Sequence, residues 1–130
     1  MHGELISSII SDNLWDVTFK TCGKLHSGTK AYITVWVYDF SGDSTSFGVD
    51  GDPLAFDKGQ TQRVYGKHFG SILSVEKIML FQSGGRGNGW APEYVRFYSR
   101  ATVCPNRSFK FYGTSINSTI LSLEILGTYV

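Results

Sequence analysis

Apolar and polar residues alternate along most of the chain, with the period of two that is typical of half-buried β-strands. In residues 15–21, Trp15, Val17 and Phe19 share one face, and polar side chains share the other. This alternation predicts a strand with one face on a core and the other face towards solvent.

Residues 31–38 form a second predicted strand, but both of its faces are apolar. Three aliphatic and three aromatic side chains alternate here: Ile33, Val35 and Val37 on one face, and Tyr32, Trp36 and Tyr38 on the other. Large exposed apolar patches are unusual on monomers, so the aromatic row is a candidate partner surface. The alternative is that the N-terminal or C-terminal segment of the chain covers it.

Further β-branched or aromatic runs predict strands at 45–49, 60–65, 72–81, 94–100, 108–112 and 119–127. With the two strands above, this gives about eight short strands, separated by turn signals at the spacing of a sandwich. The pattern predicts an all-β fold, an antiparallel β-sandwich.

A glycine-rich stretch, FQSGGRGNGWAPEYVRF at 81–97, interrupts the predicted strands. Asn88-Gly89 is a strong turn signal, and it predicts a hairpin whose chain reverses here, with Trp90 anchored in the core. A strand follows the glycines where a phosphate loop would have a helix. Arg86 remains a candidate for binding an anionic group with two hydrogen bonds, although an isolated loop arginine is most often solvated.

Composition fits one soluble domain, since 42% of the 130 residues are apolar and 18% are charged. We expect an N-terminal extension at 1–13 and a single domain at 14–130. The net charge of +1, with scattered basic residues, disfavours a nucleic-acid partner. No apolar run approaches the roughly 20 residues of a transmembrane helix, and the first residues lack the pattern of a signal peptide.

Catalytic motifs are missing from the sequence. The three histidines show no metal-binding spacing, and the chain has no H-E-x-x-H, G-x-S-x-G or C-x-x-C motif. We therefore expect a protein that is not an enzyme.

Four short motifs, in order, resemble the PLAT domain, the β-sandwich shared by lipoxygenases, pancreatic-type lipases, bacterial α-toxins and polycystins. They are the alternating strand at 15–21, Gly28-Thr29-x-Ala31 before the second strand, the segment at 56–61, and Gly89-Trp90 with Val95. The match is strongest over 14–100, and it is most similar to the small stand-alone plant proteins of the embryo-specific type. The resemblance implies two packed, roughly four-stranded antiparallel sheets.

The resemblance also implies a function, which is docking to membrane lipid surfaces or to protein partners through loops at the edge of the sandwich. The alternative is a secreted structural or stress-related protein-interaction domain without lipid binding. The family's membrane-inserting side chains are found in loops that here carry Leu25, His26, Phe40 and Phe47.

Calcium is the cofactor that the family often binds, but one position opposes it here. Where the family has Gly-Thr-Asp-Ala, this chain has Lys30 in place of the aspartate. An ammonium group repels a divalent cation, which needs about 6 to 8 oxygen ligands. The candidate ligands that remain are Gly28, Thr29, Asp43, Asp50 and Asp57. We expect no cofactor, with calcium as the alternative.

Two cysteines and two glycosylation sequons bear on the cellular compartment. Cys22 and Cys104 form either one disulfide or two buried thiols, since a bridge needs Cα atoms within about 7 Å. Asn106 and Asn117 begin N-x-S/T sequons, which also arise by chance in a chain rich in serine and threonine. With the family resemblance, these features favour a secreted protein.

The lysine exchange gives a first prediction: Lys30 occupies the calcium position as an internal cation, paired with Asp57 or Asp43. Calorimetric titration of the wild-type protein with calcium should then show no binding in the micromolar range. Micromolar calcium binding would defeat the hypothesis.

Overall fold

A computed structural model describes residues 13–23, 32–50, 56–83, 90–101 and 106–110, and the backbone of 122–126 and 128–129. Within these residues the chain forms nine strands and no helix. They are β1 (Leu14–Thr21), β2 (Tyr32–Tyr38), β3 (Ser44–Asp50), β4 (Thr61–His68), β5 (Lys77–Ser83), β6 (Pro92–Ser99), β7 (Arg107–Lys110), β8 (Ser122–Leu126) and β9 (Thr128–Tyr129).

The strands form two sheets, and every strand pair is antiparallel. One sheet has five strands in the order β4-β1-β6-β7-β9, and the other has four in the order β3-β2-β5-β8. The prediction of an antiparallel β-sandwich with roughly four strands in each sheet is therefore confirmed. The inward-facing rows of β1 and β2 are also as predicted: Trp15, Val17, Phe19, Ile33, Val35 and Val37 are all fully buried.

Aromatic rings fill the space between the sheets. The ring of Phe19 on β1 lies 6.3 Å from that of Phe47 on β3, which belongs to the other sheet. Phe19 also lies 5.5 Å from Phe56 and 6.2 Å from Trp90, centroid to centroid. Such offset and edge-on pairs add to the stabilisation from burial alone. The anchoring of Trp90 in the core follows the prediction.

A polar contact joins the two sheets at each end of the sandwich. At the end that we call the Trp90 end, the Trp90 backbone N–H donates to the Gln82 side-chain oxygen at 2.9 Å, and its indole N–H donates to the Thr21 hydroxyl at 3.0 Å. At the opposite end, the Arg107 end, Arg107 forms a 2.8 Å salt bridge to Glu76. The sheets are therefore fixed to each other at both ends.

The predicted hairpin at 81–97 is wrong. Strand β5 lies in the four-stranded sheet and β6 lies in the five-stranded sheet, so the two strands do not pair with each other. The glycine-rich residues 84–89 lie outside the described residues, and the strands before and after them belong to different sheets. Turn signals show that a chain changes direction, but they do not show which sheet receives the next strand.

The strand predicted at 72–81 begins later, at Lys77. Before it, the Ile72 N–H bonds the carbonyl of Phe69 at 3.0 Å, which closes a turn. Asn13 is fully buried beneath this turn and donates from its side chain to the carbonyls of Gly70, at 3.0 Å, and of Ile72. Ile72 is buried without being in a strand, so its apolar character was misleading as a strand signal.

The salt bridge at the Arg107 end gives a stability prediction. Arg107 is 2% exposed, so Glu76→Ala removes the carboxylate partner of a buried ion pair and should lower the free energy of unfolding by about 3 kcal/mol. Urea denaturation measures this. Glu93→Ala, at an exposed position, is the control and should change it by no more than about 0.5 kcal/mol. Equal, small effects of both substitutions would contradict the prediction.

Candidate binding surfaces

The turn between β2 and β3 presents an exposed phenylalanine at the Arg107 end. Phe40 is 82% exposed at the tip of this turn. One oxygen of the Asp39 carboxylate accepts three hydrogen bonds, from the Ser41 N–H and hydroxyl and from the Asp43 N–H, at 2.8–3.0 Å. Gly42 completes the turn with a φ of +89°, a conformation that favours glycine. The turn therefore holds Phe40 in a fixed position.

Phe47 does not lie in a loop, so that part of the predicted membrane-inserting set is wrong. It belongs to β3, half-buried, and its ring stacks on Phe69 at 5.9 Å. Its inward direction follows from its register opposite Val35, which also faces the core. Leu25 and His26 lie outside the described residues.

The predicted acidic ligands lie at opposite ends of the sandwich. Asp50 pairs with Tyr32 at the Trp90 end, whereas Asp43 lies in the turn beyond the Tyr38–Ser44 pair, at the Arg107 end. Asp57 is near the Trp90 end, because the Gly59 N–H bonds the Cys22 carbonyl at 2.9 Å. A site that joins Asp43 to the other two carboxylates is therefore wrong.

Calcium ligands do not come together in the described part of the chain. The Asp57 carboxylate accepts from the Lys58 N–H at 2.9 Å, as turn aspartates do. Among the residues that the structure describes, no group of three histidine, cysteine or acidic side chains could hold a metal ion. Gly28, Thr29 and Lys30 lie outside those residues, as does Arg86, so their roles stay predictions.

The aromatic row of β2 faces outward from the four-stranded sheet. Tyr32 is 47% exposed, and Trp36 and Tyr38 are half-buried. The Lys77 ammonium lies 4.5 Å from the centre of the Tyr38 ring, a cation–π contact. The Tyr32 ring covers Gly48, where any side chain would collide with it. We call this surface the aromatic face.

The structure describes two of the four residues on which the prediction of secretion is based. Cys22 is buried and carries a free thiol in the structure, and Cys104 lies outside the described residues. Asn106 is half-buried, and its side-chain oxygen accepts from the Ser99 N–H at 3.0 Å. Asn117 is outside the described residues. The disulfide, the glycosylation and the secreted location stay predictions.

Sequence reasoning missed the outer face of the five-stranded sheet. A groove of about 410 Å³ lies there, lined chiefly by Asp16, Thr18, Arg63, Tyr65, Arg96 and Tyr98. Tyr65 is 64% exposed and Tyr98 is 59% exposed. A signal was present, because arginine and tyrosine stand two residues apart in both β4 and β6, and alternate strand residues share a face. We call this surface the arginine groove.

Asp16 is paired at the edge of the arginine groove. The Arg100 guanidinium donates to both of its oxygens, at 2.7–3.2 Å, and the Gly66 N–H donates to one of them at 3.0 Å. The hydrogen bonds from Arg100, helped by that from Gly66 and opposed by partial burial, lower the pKa of Asp16 below its usual value. Asp16 therefore stays ionised over the whole physiological range of pH.

The fold is shared with one domain of much longer proteins. A coral 8R-lipoxygenase, described with calcium activation through a C2-like domain, matches with a TM-score of 0.71 over 88% of this chain, at 20% identity. A lipoxygenase in complex with arachidonate matches with a TM-score of 0.72 over 89%, also at 20% identity. The alpha toxin of Clostridium absonum matches with a TM-score of 0.56 over 81%, at 19% identity.

The chain spans only 17% and 16% of the two lipoxygenase chains and 30% of the toxin chain. At these identities the similarity shows the fold, which is that of the C2-like PLAT domain. No protein-family model matches the chain, and neither does any curated protein sequence. The likeness to stand-alone plant proteins stays a prediction. In the part of the chain that the structure describes, no helix is long and apolar enough to cross a membrane.

The Asp16–Arg100 pair predicts a pH dependence of stability. Because the pKa of Asp16 is lowered in the folded protein, its contribution is present above about pH 4 and is lost as the pH falls through the folded pKa. Urea denaturation from neutral to acidic pH should show Arg100→Gln less stable than wild type near neutrality, with a difference that shrinks in acid. Arg63→Gln is the control, because Arg63 forms no salt bridge with the residues that the structure describes. A difference for Arg100→Gln that stays constant into acid would contradict the prediction.

Proposed function

We propose that the chain is a non-catalytic binding module that docks on a membrane lipid surface through side chains at the edge of the sandwich. The fold supports this proposal, because the similar region makes up only 17% of the lipoxygenase chain and 30% of the toxin chain. A domain of this kind acts by positioning, so its function lies in exposed side chains on a rigid frame.

The exposure of Phe40 is the observation that carries the proposal. Its ring is 82% exposed at the tip of a turn that is already ordered by the Asp39 carboxylate. An ordered turn loses little conformational entropy on binding, and transfer of the ring from water to an apolar phase lowers the free energy. Leu73 is 36% exposed in the β4–β5 connection, which lies at the same end.

Membrane docking through Phe40 needs no calcium. Of the predicted acidic ligands, only Asp43 lies with Phe40 at the Arg107 end, whereas Asp50 and Asp57 lie at the Trp90 end. Among the described residues, no group of three histidine, cysteine or acidic side chains could hold a metal ion there. We therefore propose that lipid binding by this module does not depend on calcium.

A second candidate function is docking on a protein partner without lipid, and the aromatic face favours it. Half-exposed tyrosine and tryptophan side chains are enriched at protein interfaces, where they supply area at a low entropic cost. Tyr32 and Trp36 on β2, with Met79 opposite Trp36 on β5, provide such a surface.

Vesicle co-sedimentation tests the first function. Phe40→Ser should reduce binding to phospholipid vesicles by at least about tenfold, because the serine has no ring to insert, and chelation of calcium should leave wild-type binding unchanged. Phe40→Leu keeps an apolar side chain and is the matched control. Thermal unfolding should be nearly the same for all three proteins, since position 40 is exposed.

Two outcomes would contradict docking through Phe40. Either the wild type does not bind vesicles, which would favour a protein partner, or Phe40→Ser binds as well as Phe40→Leu does.

A further inference from the structure

Arginine side chains are concentrated on one surface of this nearly neutral chain. Of the five arginines in the sequence, Arg63, Arg96 and Arg100 lie on the outer face of the five-stranded sheet. Arg107 is buried, and Arg86 lies outside the described residues. The distribution gives the arginine groove a local positive potential that the net charge of +1 conceals.

The strand register sets two arginines on either side of a hydroxyl. Thr18 on β1 pairs with Arg63 on β4 and with Arg96 on β6. Because neighbouring strands lie about 4.8 Å apart, the Cα atoms of the two arginines are roughly 10 Å apart. Guanidinium groups on long side chains can close that distance, so both can reach one ligand seated over Thr18.

Tyrosines flank this row on the side nearer the Arg107 end. Tyr98 pairs with Asp16 on β1, and Tyr65 precedes Gly66, whose N–H bonds the Asp16 carboxylate. Both tyrosines are more than half exposed. Each therefore offers a ring face for apolar contact and a hydroxyl for hydrogen bonding.

The acidic group of the groove is already paired. Asp16 accepts hydrogen bonds from Arg100 and Gly66, so it does not neutralise the other two arginines. Among the described residues, neither Arg63 nor Arg96 takes part in a salt bridge. The Arg96 guanidinium stacks 4.0 Å from the centre of the Tyr94 ring. This contact orients the plane of the guanidinium and leaves the N–H groups at its edge available to a ligand.

The adjoining hollow has a different charge balance. It is lined by Glu93, Tyr94, Arg96 and Lys110, so one acid there stands beside two bases, whereas the acid of the arginine groove is paired with a third arginine, Arg100. Anions are therefore better accommodated on the Thr18 side of Arg96.

We propose that the arginine groove binds a phosphorylated polyol, such as an inositol phosphate, between Arg63 and Arg96. Guanidinium groups bind phosphate with two parallel hydrogen bonds, and two of them suit a ligand with more than one phosphate. The groove is rich in donors, and its volume of about 410 Å³ falls in the range for small-molecule sites. The site is separate from Phe40, so it goes beyond the function proposed above and does not depend on it.

The same phosphate chemistry is offered by a soluble ligand and by a lipid headgroup, and the test separates them. Calorimetry with soluble inositol trisphosphate and with inorganic phosphate measures the groove itself. Co-sedimentation with phosphatidylcholine vesicles that contain phosphatidylinositol bisphosphate, or phosphatidylserine at matched surface charge, tests the lipid source.

The variant is Arg63→Gln with Arg96→Gln, and its control is Lys58→Gln with Lys77→Gln. Both pairs remove two positive charges, but Lys58 lies in the turn that follows Phe56 and Lys77 lies on the other sheet. The arginine pair should weaken binding of inositol trisphosphate by at least about tenfold, since it removes charged hydrogen bonds, and the lysine pair should not. Circular dichroism checks that each variant is folded.

Support for the proposal is binding of inositol trisphosphate by the wild type that the arginine pair weakens and the lysine pair does not. If the wild type also binds bisphosphate vesicles better than phosphatidylserine vesicles, the ligand is a lipid headgroup. If it binds both kinds of vesicle equally, the ligand is a soluble phosphate. The proposal is overturned if the wild type binds no inositol trisphosphate, or if both double variants lose affinity for it equally. In each of those cases the effect of Phe40→Ser on vesicle binding still decides the first function separately.

Discussion

Burial of Phe19 between the two sheets is the contact on which the rest of the structure depends. Its ring meets Phe47 from the opposite sheet, and Phe56 and Trp90 from the connections at the Trp90 end. Phe56 and Trp90 are themselves in contact, with centroids 4.9 Å apart. One cluster thus fixes the separation of the sheets and also the positions of Phe56 and Trp90, which precede β4 and β6.

Packing of the inner faces of the sheets determines which residues lie on the outer faces. Strand side chains alternate, so a register that buries Val17 and Phe19 also fixes Asp16, Thr18 and Lys20 on the outside. The same holds on β6, where burial of Val95 and Phe97 leaves Arg96 and Tyr98 outside. Both candidate binding faces follow from this constraint, because the outward positions are free to carry aromatic and basic residues.

The parts of the fold that depend on local pattern could be predicted from the sequence, and those that depend on long-range pairing could not. Alternation gave β1, β2 and their buried faces, because period-two burial is a property of a single strand. The glycine-rich stretch indicated a change of direction, yet the pairing of β5 and β6 with other strands is decided by the whole sheet order.

The candidate sites also include one that depends on local pattern and others that depend on long-range strand pairing. The exposure of Phe40 follows from a turn with its own local hydrogen bonds. The separation of Asp43 from Asp57 could not be predicted without the register of β2 and β3. The arginine groove could not be predicted without knowing which strands pair with β1 on its two sides.

Arg100 affects the charge of the arginine groove, although it lies just beyond the end of β6. It follows the last residue of β6, and its guanidinium reaches Asp16, which faces the groove from β1. Without this partner Asp16 would be available to pair with one of the groove arginines, Arg63 or Arg96, and would offset part of the positive charge there. Exposed ion pairs contribute little to stability, so the Asp16–Arg100 pair matters more through the charge that it leaves unpaired on Arg63 and Arg96. The Asp16–Arg100 pair thus affects how strongly positive this face is, and it leaves both groove arginines available to a ligand.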